Sequence, residues 1–76
     1  MKVFAHEQAG VRMWLLNVIR DGREDALIEL RAIRDGRVRQ EWHADAAAAS
    51  RRADELTATS DVYVGALARF PAQRRT

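Results

Sequence analysis

Arginine supplies most of the side chains in this sequence that can bind a charged ligand. Twelve of the thirteen basic residues are arginine, and Lys2 is the only lysine. A guanidinium group presents five donors in a planar fork that matches the oxygens of a phosphate or a carboxylate. The arginines that cluster along the chain are Arg31, Arg34, Arg37 and Arg39 in one group and Arg69, Arg74 and Arg75 in another. We regard these seven residues as the candidate nucleic-acid-binding residues.

The same arginines also have a structural interpretation, which the sequence leaves open. Glu29, Asp35 and Glu41 alternate with the first group, so cross-strand ion pairs can neutralise much of its charge. Eleven acidic residues reduce the formal net charge of the chain to +2. Attraction to a polyanion therefore depends on local clustering of arginine and not on the surface as a whole.

No group of histidine, serine or acidic residues shows a catalytic pattern. The residues considered are His6, His43, Ser50, Ser60, Asp21, Glu24 and Asp25. The two histidines have no cysteine or paired carboxylates at metal-ligand spacing, and the serines lack a Gly-x-Ser-x-Gly context. The acidic residues lie among arginines and a glycine, which is typical of a solvated loop. We expect no catalytic residue, no bound metal and no cofactor.

Length and composition indicate one small folded domain. The chain has 76 residues, no cysteine, 47% apolar residues and 32% charged residues, which predicts a thin core without disulfides. No stretch of 18 apolar residues or signal-peptide pattern occurs. We expect a cytoplasmic protein that makes no membrane contact, with one domain over residues 1–69 and a flexible C-terminal tail over residues 70–76.

Hydrophobic periodicity predicts five elements in this domain. They are a helix over Phe4 to Ile19, strands over Ala26 to Arg34 and over Val38 to His43, a helix over Asp45 to Leu56, and a strand over Asp61 to Ala68. The Asp35-Gly36 pair between the first two strands predicts a β-hairpin with a type I′ turn. We expect a small α+β domain in the order αββαβ, with a three-stranded sheet, an antiparallel hairpin and two helices on one face.

The two predicted helices depend on different signals. In the first, apolar residues recur at helical spacing, namely Phe4, Val11, Trp14, Leu15, Val18 and Ile19. In the second, Asp45 is a capping residue before an alanine-rich segment. The side chains that this helix should bury are Ala46, Ala49, Ala53 and Leu56. We assign both tryptophans to the core.

Two strings of the sequence resemble the N-terminal part of bifunctional primase-polymerases. These proteins belong to the archaeo-eukaryotic primase superfamily and occur in phages, plasmids and other mobile elements. One is Trp14-Leu-Leu-Asn-Val-Ile-Arg-Asp-Gly-Arg-Glu-Asp-Ala-Leu-Ile-Glu-Leu-Arg31, and the sharper one is Asp61-Val-Tyr-Val-Gly-Ala-Leu-Ala-Arg69. An Asp-Gly hairpin and an arginine-containing, alanine-rich helix lie between them. The resemblance spans residues 14–69 and departs from the family at Ala68, where a proline is usual.

The resemblance implies a module without polymerase chemistry. In that family, the metal-binding carboxylates and a histidine motif lie in a second, downstream module, and no position of this sequence matches them. Only Arg69 is carried over, as a residue that faces nucleic acid or nucleotide. The implied function is a non-catalytic module that binds DNA, weakly and with salt dependence, or a replication partner. The alternative is a structural or interaction module that forms a homodimer without nucleic-acid binding.

Overall fold

In a computed structural model, which describes residues 2–69, the chain forms a four-stranded antiparallel sheet followed by two helices. The elements are β1 (Lys2–Gln8), β2 (Val11–Arg20), β3 (Arg23–Ala32), β4 (Val38–His43), α1 (Ala46–Leu56) and α2 (Ser60–Arg69). The strand order in the sheet is β1-β2-β3-β4. The α+β class is confirmed. The predicted order αββαβ with three strands is wrong, because the order is ββββαα with four.

The segment predicted as the first helix consists instead of β1, a tight turn and β2. Ala9 and Gly10 both have positive φ, 52° and 80°, and this conformation matches the twist of a two-residue hairpin. β2 is apolar on both faces, which hides the alternation expected of a strand. Val11, Met13 and Leu15 are buried on one face, and Trp14, Leu16 and Val18 are half-buried on the other. Leu15, Val18 and Ile19 therefore recur at a spacing that imitates a helix.

A second tight turn joins β2 to β3 where the sequence indicated only a connection after a helix. Asp21 and Gly22 have φ of 51° and 74°, and Arg20 pairs with Arg23 across them. The register then runs without a break as far as Val11 opposite Ala32. β3 begins three residues before the predicted strand because the hairpin turn sets its start.

The hairpin of β3 and β4 is confirmed, and its turn differs from the predicted type I′ turn. The connection is a four-residue loop from Ile33 to Gly36. It is closed by the Ala32 N–H donating to the Arg37 carbonyl and by the Gly36 N–H donating to the Ala32 carbonyl, both at 2.9 Å. Only Gly36 in this loop has positive φ, at 72°. Longer hairpin loops are commonly built in this way, with glycine at the left-handed position.

The predicted helix after Asp45 is confirmed as α1. The Asp45 carboxylate accepts a hydrogen bond from the Ala48 N–H at 2.8 Å, which is the expected N-cap contact. Of the four side chains predicted to be buried, three are, at Ala49, Ala53 and Leu56. Ala46 is exposed, because it lies in the first turn, at the edge of the buried side.

The segment predicted as a final strand is the helix α2. The Thr59 hydroxyl accepts the Val62 N–H at 3.3 Å and so caps its start. The buried residues Tyr63, Ala66 and Leu67 have helical spacing. Val62 and Val64, whose two-residue spacing also fits one face of a strand, are exposed. The predicted tail at residues 70–76 lies outside the described residues.

Both helices pack on one face of the sheet and form the core with it. The core consists of Val11, Met13, Leu15, Ala26, Ile28, Leu30 and Ala32 from the strands and Ala49, Ala53, Leu56, Tyr63, Ala66 and Leu67 from the helices. Tyr63 ties α2 to two strands, since its hydroxyl donates to the carbonyls of Val11 at 2.8 Å and His6 at 3.2 Å. Burial, with a smaller contribution from the charge of Glu7, raises the pKa of Tyr63 to about 12.

Candidate nucleic-acid interface

The face of the sheet opposite the helices carries a distinctive set of side chains. We call it the open face. Because side chains alternate along a strand, it takes the residues between the core positions. They are Ala5, Glu7, Arg12, Trp14, Leu16, Val18, Arg20, Arg23, Asp25, Leu27, Glu29, Arg31, Val38, Gln40 and Trp42. The described core residues of α1 and α2 pack with the strand residues of the opposite face.

An apolar row crosses the open face from strand to strand. Leu16, Leu27 and Trp42 lie directly opposite one another on β2, β3 and β4. Leu27 is buried at 4% exposure, whereas Trp42 is 39% exposed. Since both helices pack on the other face, the described residues that can cover Leu27 are its neighbours on the open face. Trp14 lies on the same face and is half-buried. The sequence-based assignment of both tryptophans to the core is therefore wrong.

Each tryptophan of the open face has an arginine beside its ring. The guanidinium carbon of Arg20 lies 4.0 Å from the ring centroid of Trp42, and that of Arg31 lies 5.8 Å from the centroid of Trp14. These distances are within the range of cation–π attraction. Because the Arg20 guanidinium lies over the face of the Trp42 ring, a flat aromatic ligand would stack on the guanidinium plane, or on the ring after the guanidinium moves aside, while its phosphate meets the positive charge.

Carboxylates neutralise much of the positive charge of the open face. Arg12 pairs with Glu7 at 3.0 Å, and Arg20 with Asp25 at 2.9 Å. Longer pairs join Arg23 to Asp25 at 3.7 Å and Arg31 to Glu29 at 3.8 Å. The four arginines and three carboxylates described here sum to a formal charge of +1. An anionic ligand on this face must therefore compete with these internal ion pairs. Among the three carboxylates, only that of Asp25 is buried, at 5% exposure.

The seven arginines predicted to bind nucleic acid do not form one surface. Arg31 lies on the open face, Arg34 lies in the exposed β3–β4 loop, and Arg37 is the exposed residue directly after this loop. Arg39 lies on the helix side of β4, opposite Leu30, and its guanidinium donates to the Val38 carbonyl at 3.1 Å. The side chain of Arg69, together with Arg74 and Arg75, lies outside the part of the chain that the structure describes.

Of the two arginines at the β3–β4 loop, Arg37 forms an ion pair with Asp35, as the structural interpretation of these arginines expects. Arg37 binds Asp35 through its guanidinium at 2.9 Å and through its backbone N–H at 3.0 Å. The hydrogen bond from the Arg37 backbone N–H, more than any other contact, lowers the pKa of Asp35. Arg34 and Arg37 also line a shallow cleft of about 570 Å³ with Val64 and Gly65 of α2. The loop and Arg37 thus present two arginines and one carboxylate next to an apolar surface.

Each of the two histidines contacts a side chain two residues away in its own strand. The His43 Nε2 lies 2.6 Å from the Glu41 carboxylate, which also accepts from Arg52 of α1 at 3.1 Å. The His6 Nε2 lies 3.2 Å from the Gln8 side-chain oxygen. Within residues 2–69, no three His, Cys, Asp or Glu side chains converge in a way that could hold a metal ion. The contacts of Glu41 join α1 to β4, and the contact of His6 lies within β1.

Comparison of the chain with protein-family models, curated proteins and solved structures gave no match. In the described part of the chain, neither helix has the length and apolar character needed to cross a bilayer. The side chains of the open face are therefore the observation on which a functional proposal can be built.

Proposed function

We propose that this protein is a non-catalytic module that binds single-stranded nucleic acid across its open face. The observation that carries the proposal is the pair of partly exposed tryptophans, each with a guanidinium beside its ring. Strand spacing puts Trp14 and Trp42 about 12 Å apart, far enough for each to take a separate base. Stacking on aromatic rings tolerates any base, because every base has a π-face. The proposed binding is therefore largely independent of nucleotide sequence.

The layout of the domain supports this choice of ligand. RRM domains also use a four-stranded antiparallel sheet, and aromatic residues on that sheet stack two or three bases. The present chain places both helices on one side of such a sheet and both tryptophans on the other. Its strands form a meander before either helix begins, so the parallel concerns the layout of the surface and not the topology.

The charge of the open face sets the expected strength of binding. Each open-face arginine already has a carboxylate within 3.8 Å, so phosphates gain less from it than from an unpaired cation. We propose micromolar or weaker affinity that falls steeply as salt rises. The resemblance to primase-polymerases supports DNA in a replicating phage or plasmid as the natural ligand, and the cytoplasm as the compartment.

A direct test compares two exposed aromatic residues on opposite sides of the sheet. Trp42 on the open face is 39% exposed, and Phe4 on the helix side of β1 is 42% exposed. Binding of labelled oligo(dT) is measured for the wild type, Trp42→Ala and Phe4→Ala between about 20 and 150 mM salt. We expect Trp42→Ala to bind at least about tenfold more weakly and Phe4→Ala to bind like the wild type. The proposal is contradicted if the affinity for oligo(dT) changes neither with Trp42→Ala nor with salt, or if no binding occurs at the lowest salt.

A second candidate function is a homo-oligomer that buries the open face and binds no nucleic acid. The observation that favours it is the apolar row Leu16, Leu27 and Trp42 on a face whose charges nearly cancel. Aromatic residues and arginine are also the side chains that dominate protein interfaces. Light scattering distinguishes this candidate from the first one. A dimer that Trp42→Ala dissociates, with no oligo(dT) binding at low salt, supports it over the nucleic-acid module.

A further inference from the structure

The outer edge of β4 presents a regular row of backbone groups. β4 is the last strand of the sheet, and no strand of the described residues pairs with its outer side. In an antiparallel sheet, hydrogen-bonded and non-hydrogen-bonded residue pairs alternate. The Ala32 N–H donates to the Arg37 carbonyl, which makes this a hydrogen-bonded pair in the register of β3 and β4. Alternation then directs the peptide groups of Arg39 and Glu41 toward β3.

The peptide groups of Val38, Gln40 and Trp42 consequently point away from the sheet. The contact between the Arg39 guanidinium and the Val38 carbonyl at 3.1 Å agrees with this orientation. The other edge of the sheet is interrupted, because the register of β1 shifts between Lys2 and Phe4. A register shift and a proline are two of the devices that keep an edge from pairing with another chain. β4 has neither of them.

We propose that β4 pairs antiparallel with β4 of a second copy of this chain, about a twofold axis at Gln40. In this register Val38 lies opposite the partner's Trp42, Arg39 lies opposite the partner's Glu41, and Gln40 lies opposite itself. All the outward peptide groups of Val38, Gln40 and Trp42 meet outward groups of the other copy. The strand is thus complementary to itself in hydrogen bonds, in charge and in apolar contact, as a twofold interface requires.

Charge selects this register over its neighbours. Pairing that is shifted by two residues in one direction puts Arg39 opposite the partner's Arg39. A shift by two in the other direction puts Glu41 opposite the partner's Glu41. Like charges directly opposite one another destabilise a sheet. A shift by one residue turns the outward groups of one strand toward groups of the other that already bond β3.

Arg39 is the residue whose surroundings most favour a partner. It is half-buried, and its described hydrogen bond is to the neighbouring carbonyl of Val38. The arginines of the open face, in contrast, all have a carboxylate of their own chain within 3.8 Å. The second copy would supply to Arg39 its Glu41, whose carboxylate also binds His43 and Arg52 of its own chain. Arg39 would then leave the Val38 carbonyl, which the partner strand takes. Because the twofold axis is perpendicular to the sheet, both open faces would lie on one side of a continuous eight-stranded sheet.

The first test removes one backbone donor at the proposed axis, together with the side-chain hydrogen bond of Gln40 to Glu29 at 3.0 Å. Gln40→Pro removes an N–H that β3 does not use, and proline is tolerated at such edge positions. Ala5→Pro is the matched control. Gln8 and Val11 close the two-residue turn and bond each other, which turns the peptide group of Ala5 outward on the β1 edge. Sedimentation equilibrium should show a wild-type dimer at up to 1 mM chain. We expect Gln40→Pro to raise the dimer Kd roughly 30-fold, because two symmetric hydrogen bonds are lost, and Ala5→Pro to leave it unchanged.

The second test changes charge and then restores complementarity. Arg39→Glu places Glu opposite the partner's Glu41 and should dissociate the dimer, whereas Arg51→Glu makes the same charge change on exposed α1 and should not. Mixing Arg39→Glu with Glu41→Arg brings opposite charges together at both positions, so a heterodimer should form. Circular dichroism checks the fold of each variant. A monomeric wild type at 1 mM overturns the proposal, and so do folded Gln40→Pro and Arg39→Glu variants that dimerise like the wild type. Neither outcome depends on nucleic-acid binding.

Discussion

The two faces of the sheet use apolar residues in different ways. On the helix side, Met13, Ile28 and Leu30 are completely buried within a closed cluster. On the open face, Trp14 and Trp42 remain partly exposed, although they have the largest apolar side chains in the chain. Burying such a side chain stabilises a fold by about 1.5 to 3 kcal/mol. The helix side is thus arranged for stability, and the open face retains surface that a ligand can cover.

The polar residues show the same difference between the faces. The buried hydroxyl of Tyr63 on the helix side is fixed by two backbone carbonyls. On the open face, Arg20 is shared between the Asp25 carboxylate and the ring of Trp42. The first arrangement holds elements of the fold together. The second keeps a cation over an aromatic ring, where it can meet an incoming phosphate. Variants should therefore separate stability on one face from binding on the other.

The largest expected effect comes from truncating the helix-side core. Leu30→Ala leaves a cavity at a fully buried position and should cost about 2 to 5 kcal/mol of unfolding free energy. Trp42→Ala on the open face should cost clearly less, because the ring is already partly exposed. Urea unfolding followed by circular dichroism measures both. Equal losses of stability would break the distinction between the faces.

Alkaline pH should act on the helix side through Tyr63. Its pKa is raised to about 12 in the folded protein, against about 10 in an unfolded chain. The folded state therefore keeps the proton that the unfolded state loses. The stabilisation that comes from this raised pKa is complete below pH 10. The free energy of unfolding then falls by about 2 to 3 kcal/mol as pH rises to 12.

The control for this pH effect is Tyr63→Phe. This variant removes the titrating group and should be less stable than the wild type at pH 7, since the buried hydrogen bond from the Tyr63 hydroxyl to the Val11 and His6 carbonyls is lost. Its stability should then change much less between pH 10 and 12. Thermal unfolding across that range gives the comparison, and an identical decline in both proteins would show that other groups are responsible.

The elements that the sequence predicted correctly each have a strong local signal. α1 has a clear cap at Asp45 and a single buried side. The hairpin of β3 and β4 follows from alternation on both sides of a glycine. β2 was misread because it is apolar on both faces, and β1 because its turn begins at Ala9, a residue that seldom has positive φ. α2 was misread because the exposed Val62 and Val64 resemble a strand face.

The candidate site could be predicted from the sequence only in part. Arg31 was identified among the candidate arginines and lies on the open face. The phase of Val38, Gln40 and Trp42 along β4 was also visible in the alternation. The sequence did not show that Val38, Gln40 and Trp42 lie on the face away from the helices, because this depends on β2 being a strand. Arg20 and Trp42 are 22 positions apart and meet only through the pairing of β2, β3 and β4.

A smaller effect should come from releasing the arginines of the open face. Asp25→Asn removes the carboxylate that pairs with Arg20 and Arg23, so both cations become available to phosphate. We expect oligo(dT) binding to tighten about three- to tenfold at low salt. Asp54→Asn, an equal charge change on the exposed side of α1, should alter binding by less than about twofold. Equal effects of the two variants would mean that overall charge alone controls binding.

The proposed binding of single-stranded nucleic acid is to the open face and not to the helix side. It is tested most directly by NMR titration of ¹⁵N-labelled protein with oligo(dT), following the indole N–H signals of Trp14 and Trp42 and the backbone amides. We expect both indole signals to shift, together with amides of β2, β3 and β4, and the amide signals of α1 to stay unchanged. Shifts confined to the helices or to the β3–β4 loop, or no shifts at low salt, would contradict it.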